Sequence, residues 1–190
     1  MINLTLNYED FSTDIVNFRS RYFHNDDPKC WQEKVDYDSE HLVLRKCNEI
    51  VAVSRMSPGK LVDFSTETHD HYQPIKTTSL FISRTCIIEP NRRLSIAYYS
   101  LLMVSFQLTS KSRGKGLCGL STRDAIGALN SLLWRRAGNE FMQHLCGIPA
   151  PVTPMEWSPS NSAQIGKRIA SINRILHNQG LIWDSGISLV

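Results

Sequence analysis

The sequence predicts an α/β (α+β) chain with an antiparallel first half and βαβ units in its second half, on three observations. Two strand-like runs, "HLVLRK" (41–46) and "IVAVSR" (50–55), are joined across only Cys47, Asn48 and Glu49, which is hairpin spacing. From residue 78 onward, apolar strand-formers alternate with helical periodicity, the signature of strand–helix–strand units. A chain of 190 residues, 42% hydrophobic and 21% charged, has the composition of a soluble globular protein and can bury a full core without disulfides or metals.

In chain order, "FSTDIVNFRSRYF" (11–23) predicts a helix capped by Ser12 or Thr13, with Ile15, Phe18 and Tyr22 at helical spacing. "HNDDPKCW" breaks it, because Pro28 pushes Asp27 out of the helical region. The hairpin follows, then the turn "MSPGK". Residues 60–77 are polar and irregular around "ETHDHYQP". "TSLFISRTCII" (78–88) is a longer strand stopped by Pro90, and the helix after it places Ile96, Tyr99, Met103 and Phe106 on one face. "SKSRGKG" is a basic loop and "LCGLS" (117–121) a short strand. "RDAIGALNSLLWRRAG" is a helix with Asp124 near its start, an apolar face of Ile126, Leu129 and Leu133, and Gly138 as its stop. "FMQHLC" (141–146) is a strand. "GIPAPVTPMEWSPS" holds four prolines and reads as an ordered loop or linker. "NSAQIGKRIASINRILHNQG" is the last helix, with Ile165, Ile169, Ile172 and Leu176 on one side and Gly180 as its stop. The expected organisation is one domain over 1–150, with a proline-rich loop and C-terminal helix, 151–190, packed on it.

Charge and cysteines narrow the function classes. A net charge of +3 is too small to imply a nucleic-acid partner. The five cysteines are odd in number and lack C-x-x-C spacing, so they read as reduced, mostly core thiols in a cytoplasmic protein. "MINLTLNYEDF" has no basic region followed by an apolar block, and no apolar run approaches the roughly 20 residues that span a bilayer, so no membrane partner is expected. His69 and His71 alternate around Asp70, but no third ligand is defined and no metal is expected. No Gly-x-Ser-x-Gly marks a hydrolase nucleophile.

The most informative stretch is "CIIEPNRRLSIAYYSLLM" (86–103). A strand ends at Glu-Pro-Asn, two arginines follow, and small residues open an amphipathic helix. Backbone N–H groups at such a helix start attract anions, and small side chains let a phosphate approach. Arg92, Ser95 and Ala97 stand at the spacing Arg-x-x-Ser-x-Ala. This is similar to the Arg/Gln-x-x-Gly-x-Gly/Ala loop with which GCN5-related N-acetyltransferases hold the pyrophosphate of coenzyme A or phosphopantetheine, with Ser95 at the first glycine. "NSLLWRRAGNEF" resembles a second segment of that superfamily, with Asn130 and Gly138 at its asparagine and glycine and Glu140 interrupting its Gly-Phe pair.

A narrower resemblance covers roughly residues 11–140. Arg19 and Phe23 near the end of the first helix, Asp36 and Asp38 before the next strand, Arg55 before a proline turn, and Ser83-Arg84 on the fourth strand are similar to acyl-homoserine-lactone synthases and N-acyl amino acid synthases. The resemblance implies a mixed, mostly antiparallel central sheet flanked by helices. It also implies transfer of an acyl group from an acyl-carrier protein or acyl-CoA to the amine of a small amino-acid-like acceptor. The thioester is then a donor substrate, with no tightly bound cofactor. The alternative is a non-catalytic or divergent thioester-binding protein of the same fold.

On this resemblance the donor is expected at Cys86, Ile88, Arg92, Arg93, Leu94, Ser95, Ile96, Ala97 and Asn130. The acceptor is expected at Arg19, Phe23, Asp36, Asp38, Arg55 and Phe81. Phe81 matters most, because those synthases carry their favoured base, a glutamate, at that position. An alkyl ammonium titrates near 10, so at pH 7 about one part in a thousand is the neutral nucleophile, a cost of about 4 kcal/mol that a base offsets. With Phe81 there, the catalytic candidates are His69 and His71 in the polar loop, with Ser83 and Arg84 on the strand. Lys111, Arg113 and Lys115 with Arg92 and Arg93 form an expected basic rim for an acidic carrier protein. The last helix either covers the core or forms a dimer face, so the chain is a monomer or a homodimer.

Overall fold

The computed structural model describes residues 2–23, 33–59, 79–145 and 148–185. Among the described residues, nine strands form one mixed, largely antiparallel sheet: β1 (Ile2–Glu9), β2 (Glu40–Lys46), β3 (Glu49–Pro58), β4 (Leu80–Ile87), β5 (Leu117–Ser121), β6 (Arg135–Arg136), β7 (Phe141–Leu145), β8 (Ile148–Trp157) and β9 (Leu181–Ser185). Their order is β6-β8-β5-β4-β3-β2-β1-β9, with β7 also on β8. Among the described strands, only β4/β5 and β1/β9 run parallel. The described α-helices are α1 (Thr13–Phe23), α2 (Arg92–Ser112), α3 (Arg123–Ser131) and α4 (Ile165–His177). None of them is long and apolar enough to cross a membrane.

Strand alternation sorts side chains between two faces. Leu4, Leu6, Leu42, Leu44, Ala52, Met56, Leu80 and Ile82 meet α2 and α4 on one face, in a core that includes Leu101, Phe106, Trp134 and Leu176. Val43, Val53 and Cys86 meet Ile15 and Phe18 of α1 on the other. The helix after β4 is buried nearly all round, through Leu94, Ala97, Tyr98, Leu101, Leu102, Met103, Val104 and Phe106. The single apolar face read from periodicity is therefore too narrow, and Ile96, assigned to it, is 46% exposed.

The β2–β3 hairpin closes on Cys47 and Asn48, both at positive φ (50° and 70°), as a two-residue loop matched to strand twist requires. Cys47 is thus an exposed turn residue rather than a core thiol, while Cys86 and Cys118 are buried as expected.

Four features differ from the sequence reading. The N-terminal "INLTLNYE" and the C-terminal "LIWDS" are strands β1 and β9, paired with each other in parallel. The proline-rich stretch is not a linker but the ten-residue strand β8, so the expected boundary at 150 falls inside a strand. It tolerates its prolines because β7 pairs only with its first half and β5 only with its second. Pro149 and Pro151, two apart, direct their missing donors toward one edge of the half that has a single partner. The helix expected over 123–138 ends at Ser131. Leu133 takes a left-handed φ of 64°, with the Leu133 amide on Asn130 O and the Trp134 amide on Leu129 O, a Schellman ending made without glycine. Arg135 and Arg136 then pair antiparallel with β8, so the second half holds one parallel βαβ unit, β4–α2–β5.

Candidate functional site

Two features of β4 build the site. The first is its separation from β5. They pair over three residues only, Leu80–Ile82 with Leu117–Gly119, after which β4 runs on to Ile87 and β5 to Ser121 apart from each other. Gly119 sits at the parting. A Cβ there would lie 2.8 Å from the Ile82 carbonyl oxygen, so the strands meet this closely only because residue 119 has no side chain. Beyond Ile82 the β5-facing edge of β4 has no strand partner among the described residues. Such an edge offers main-chain groups to an extended, amide-bearing ligand. From that edge the chain leads on, through 88–91, to the start of α2.

The second feature is a bulge. Val53 faces Cys86 and Arg55 faces Ser83, so Arg84 and Thr85 together oppose Ser54. Arg84 absorbs the extra residue at φ 53°. The Ser54 and Thr85 hydroxyls are 2.7 Å apart across it. In a regular strand, residues 83 and 84 would point to opposite faces. Here both reach one cluster on the α1 side of the sheet: Ser83 accepts from Arg55 Nε at 3.0 Å, and Arg84 Nη2 is 2.5 Å from Glu33 Oε1.

Asp36 is the centre of that cluster and is wholly buried. Its Oδ1 is 3.0 Å from Arg19 Nη1, 3.0 Å from Arg55 Nη1 and 3.1 Å from His41 Nε2, and its Oδ2 accepts the Glu33 amide at 2.8 Å. Glu33 Oε2 holds Arg55 Nη1 at 2.6 Å. Burial pushes the Asp36 carboxyl up, but the His41 hydrogen bond and the Arg19 and Arg55 guanidiniums overcome it and hold it well below the usual carboxylate range. Burial likewise raises Glu33, and Arg84 and Arg55 more than reverse it. Burial lowers His41 further than Asp36 can raise it, so its imidazole is neutral at pH 7 and donates through Nε2. Phe11 covers the cluster, 5.2 Å from the His41 ring and 5.7 Å from the Arg19 guanidinium carbon.

The predicted residues divide accordingly. Arg19, Asp36, Arg55, Ser83 and Arg84 converge, although Arg19 and Asp36 lie too deep to touch a ligand and act by positioning Arg55. Asp38 is exposed and outside the described contacts of the cluster. Phe23 closes α1, and its side chain falls outside the described residues, as do His69 and His71. Phe81 is 4% exposed and packs with Cys118, Leu120 and Ala137, so it is an apolar wall beside Ser83. Cys86 is a core residue under α1, and the Ile88 amide is committed to Val51 O at 2.9 Å. Asn130 is exposed on α3.

At the helix start, Arg92 and Arg93 are exposed, Ser95 is half-buried, and Leu94 and Ala97 are buried. The amides of the first turn are not open: Asn91 Oδ1 accepts from Arg93 N at 3.0 Å and Leu94 N at 3.3 Å, and the Ser95 amide bonds Asn91 O. An incoming phosphate meets the two guanidiniums first and gains those amides only by exchange with Asn91.

The basic rim read from sequence does not form as one surface. Arg92–Arg93 and Lys111–Lys115 stand at opposite ends of the 21-residue α2, about 30 Å apart, and Arg113 pairs with Glu40 at 2.6 Å. Glu33 was missed by sequence reading. Its only signal was its place three residues before Asp36, the spacing at which each can reach the other's backbone.

No family model and no curated protein matches the sequence. Solved structures do. TofI, in a ternary complex with an inhibitor and MTA, superposes with a TM-score of 0.64 at 15% identity, over 85% of this chain and 96% of that one. BjaI, a CoA-dependent acyl-homoserine lactone synthase with SAM and isopentyl-CoA, gives 0.59 at 13% identity over 97% and 93%. An N-acetyltransferase from Staphylococcus aureus Mu50 gives 0.53 at 8% over 82% and 98%. At these identities the likeness is one of fold: the chain has the fold shared by acyl-homoserine-lactone synthases and GCN5-related N-acetyltransferases.

Proposed function

We propose that the protein is an N-acyltransferase that moves an acyl group from an acyl thioester, carried by coenzyme A or an acyl-carrier protein, to the amine of a small amino-acid-like acceptor. The observation that carries this reading is the β4–β5 parting, with the arginine-flanked start of α2 at one end and, on β4 itself, Ser83 and Arg84 of the cluster they share with Arg55 of the neighbouring strand β3. The donor's pantetheine follows the unpaired edge of β4, and its phosphate lies against Arg92 and Arg93. The acceptor nitrogen attacks the thioester carbonyl carbon, and the negative charge on oxygen is met by main-chain donors of β4. The C–S bond then breaks, the proton lost by the nitrogen passes to the departing thiolate sulfur, and an amide and a free thiol are released.

The fold neighbours support acyl transfer as a class through shared architecture. If the donor is a carrier protein, the exposed Ile88 and Ile96 beside Arg92 and Arg93 offer a mixed apolar and basic contact for its acidic surface. A second reading, a thioester-binding protein without catalysis, is favoured by two observations: Phe81 stands where the resembled synthases carry a carboxylate, and Glu33 is held in its charged form by two arginines.

Mass spectrometry of reactions pairing acyl-CoA or acyl-carrier protein with free amino acids separates the two. An acylated amino acid is expected; thioester binding without product selects the second reading. Arg92→Ala/Arg93→Ala should raise the donor KM about tenfold or more with kcat little changed, since two charge-assisted contacts are lost. Unchanged donor kinetics would refute the placement of the phosphate.

A further inference from the structure

The two carboxylates of the cluster are held in different ways. All of Asp36 is buried, and its oxygens are shared by three cationic or imidazole groups and a backbone amide, so it is fixed. The Glu33 side chain is 38% exposed, and it spans Arg55 (5% exposed) and Arg84 (14% exposed) with one oxygen on each, at 2.6 and 2.5 Å. That is how two guanidiniums hold a free carboxylate. The arginines are the buried, pre-set part of this arrangement and Glu33 the accessible part. Moreover, Arg84 reaches the cluster because the bulge turns it there, at a left-handed φ of 53°.

We propose that Glu33 is an internal occupant of an anion site, and that the carboxylate of the acceptor displaces it from Arg84 and Arg55. This rests on the acyltransferase reading for the identity of the ligand and makes it more specific: the acceptor is an amino acid with a free carboxylate rather than any primary amine. On displacement, Glu33 loses the two cations that hold its carboxyl down and stands beside the acceptor, free to take a hydrogen bond from its ammonium group. Phe81 leaves that role unfilled on β4.

N-acetylglycine, which bears the carboxylate but no nucleophilic amine, and N-acetylglycinamide, which bears neither, test the site by calorimetry on the full chain without a thioester. Glu33→Gln should bind N-acetylglycine about tenfold more tightly than the wild type, because the internal competitor no longer carries charge. The amide should bind no better to the variant, and the gain should vanish in Glu33→Gln/Arg84→Met. Equal binding of acid and amide, or a gain that survives loss of Arg84, overturns the proposal. Circular dichroism of each variant checks that the cluster still folds, and competition of N-acetylglycine with amino-acid binding in the wild type gives a test that needs no variant: no competition also overturns it. Carboxylate binding in this pattern without acyl transfer keeps the anion site and removes the transferase. Acyl transfer indifferent to the acceptor's carboxylate does the reverse.

Discussion

Removing Asp36 asks more of the protein than removing any surface charge, because Arg19, wholly buried with it, and Arg55, 5% exposed, lose the anion that offsets their desolvation. Asp36→Asn should cost about 3–5 kcal/mol of unfolding free energy, read by denaturant titration. A loss below about 1 kcal/mol would mean that the cluster is solvated in solution. The same cluster sets a pH dependence of definite sign. His41 is neutral in the folded chain because its pKa is lowered there, so as pH falls through about 6.5 the unfolded chain takes up a proton that the folded chain refuses. Stability should fall between pH 7.5 and 5.5, at up to about 1.4 kcal/mol per pH unit from this group, and His41→Asn should flatten that slope. Asp36 acts lower on the scale: its depressed pKa gives stability that is complete above about pH 4 and lost below it. If the His41→Asn chain lost stability with acid as steeply as the wild type over pH 7.5–5.5, the neutral buried imidazole would be wrong. The sequence marked most of these residues as candidates, since Arg19, Asp36, Arg55 and Arg84 are charged side chains at positions that resemble a known arrangement. It did not mark Glu33, because its role comes from the bulge at Arg84 and the burial of Asp36, neither of which leaves a pattern along the chain.

At the scale of elements, the parting of β4 from β5 depends on a close approach just before it. Gly119→Ala places a methyl group against the Ile82 carbonyl, at a point where both partners are backbone and neither can swing aside. Overpacking of this kind costs about 1–3 kcal/mol. The variant should unfold at lower temperature and should weaken thioester binding together with stability, since the strands that frame the cleft are displaced. A variant as stable as the wild type would show that β4 and β5 have slack at this point. Elements with local signals were legible: the β2–β3 hairpin from its short connection, the β4–α2–β5 unit from its change of periodicity, and α4 from four spaced apolar residues and Gly180. The misread elements took their form from distant partners. β8 is a strand because β5 and β7 pair with it, against the local warning of its prolines. β1 alternates Ile2, Leu4 and Leu6 with Asn3, Thr5 and Asn7, a period-two signal that was present in the sequence but passed over. The early end of α3 is set by a left-handed leucine where composition points to glycine.

Across the whole molecule, the two faces of the sheet divide the work. The α2 and α4 face carries the large apolar core and fixes where the start of α2 stands. The α1 face carries a small apolar core at Ile15, Phe18, Val43, Val53 and Cys86, and next to it the ionic cluster. β4 belongs to both, so the proposed acyl transfer would set a thioester along its edge and an acceptor at the Arg55–Arg84 cluster on its other side. The start of α2 was readable because its signals are local, while the separation of the basic segments by the length of α2 was not. The direct measurement is a crystal structure with coenzyme A. The account predicts pantetheine running along β4 past Ile82, and phosphate against Arg92 and Arg93 with Asn91 turned away from the Arg93 and Leu94 amides. Coenzyme A bound elsewhere, with Asn91 still capping α2 and both arginines untouched, would contradict it.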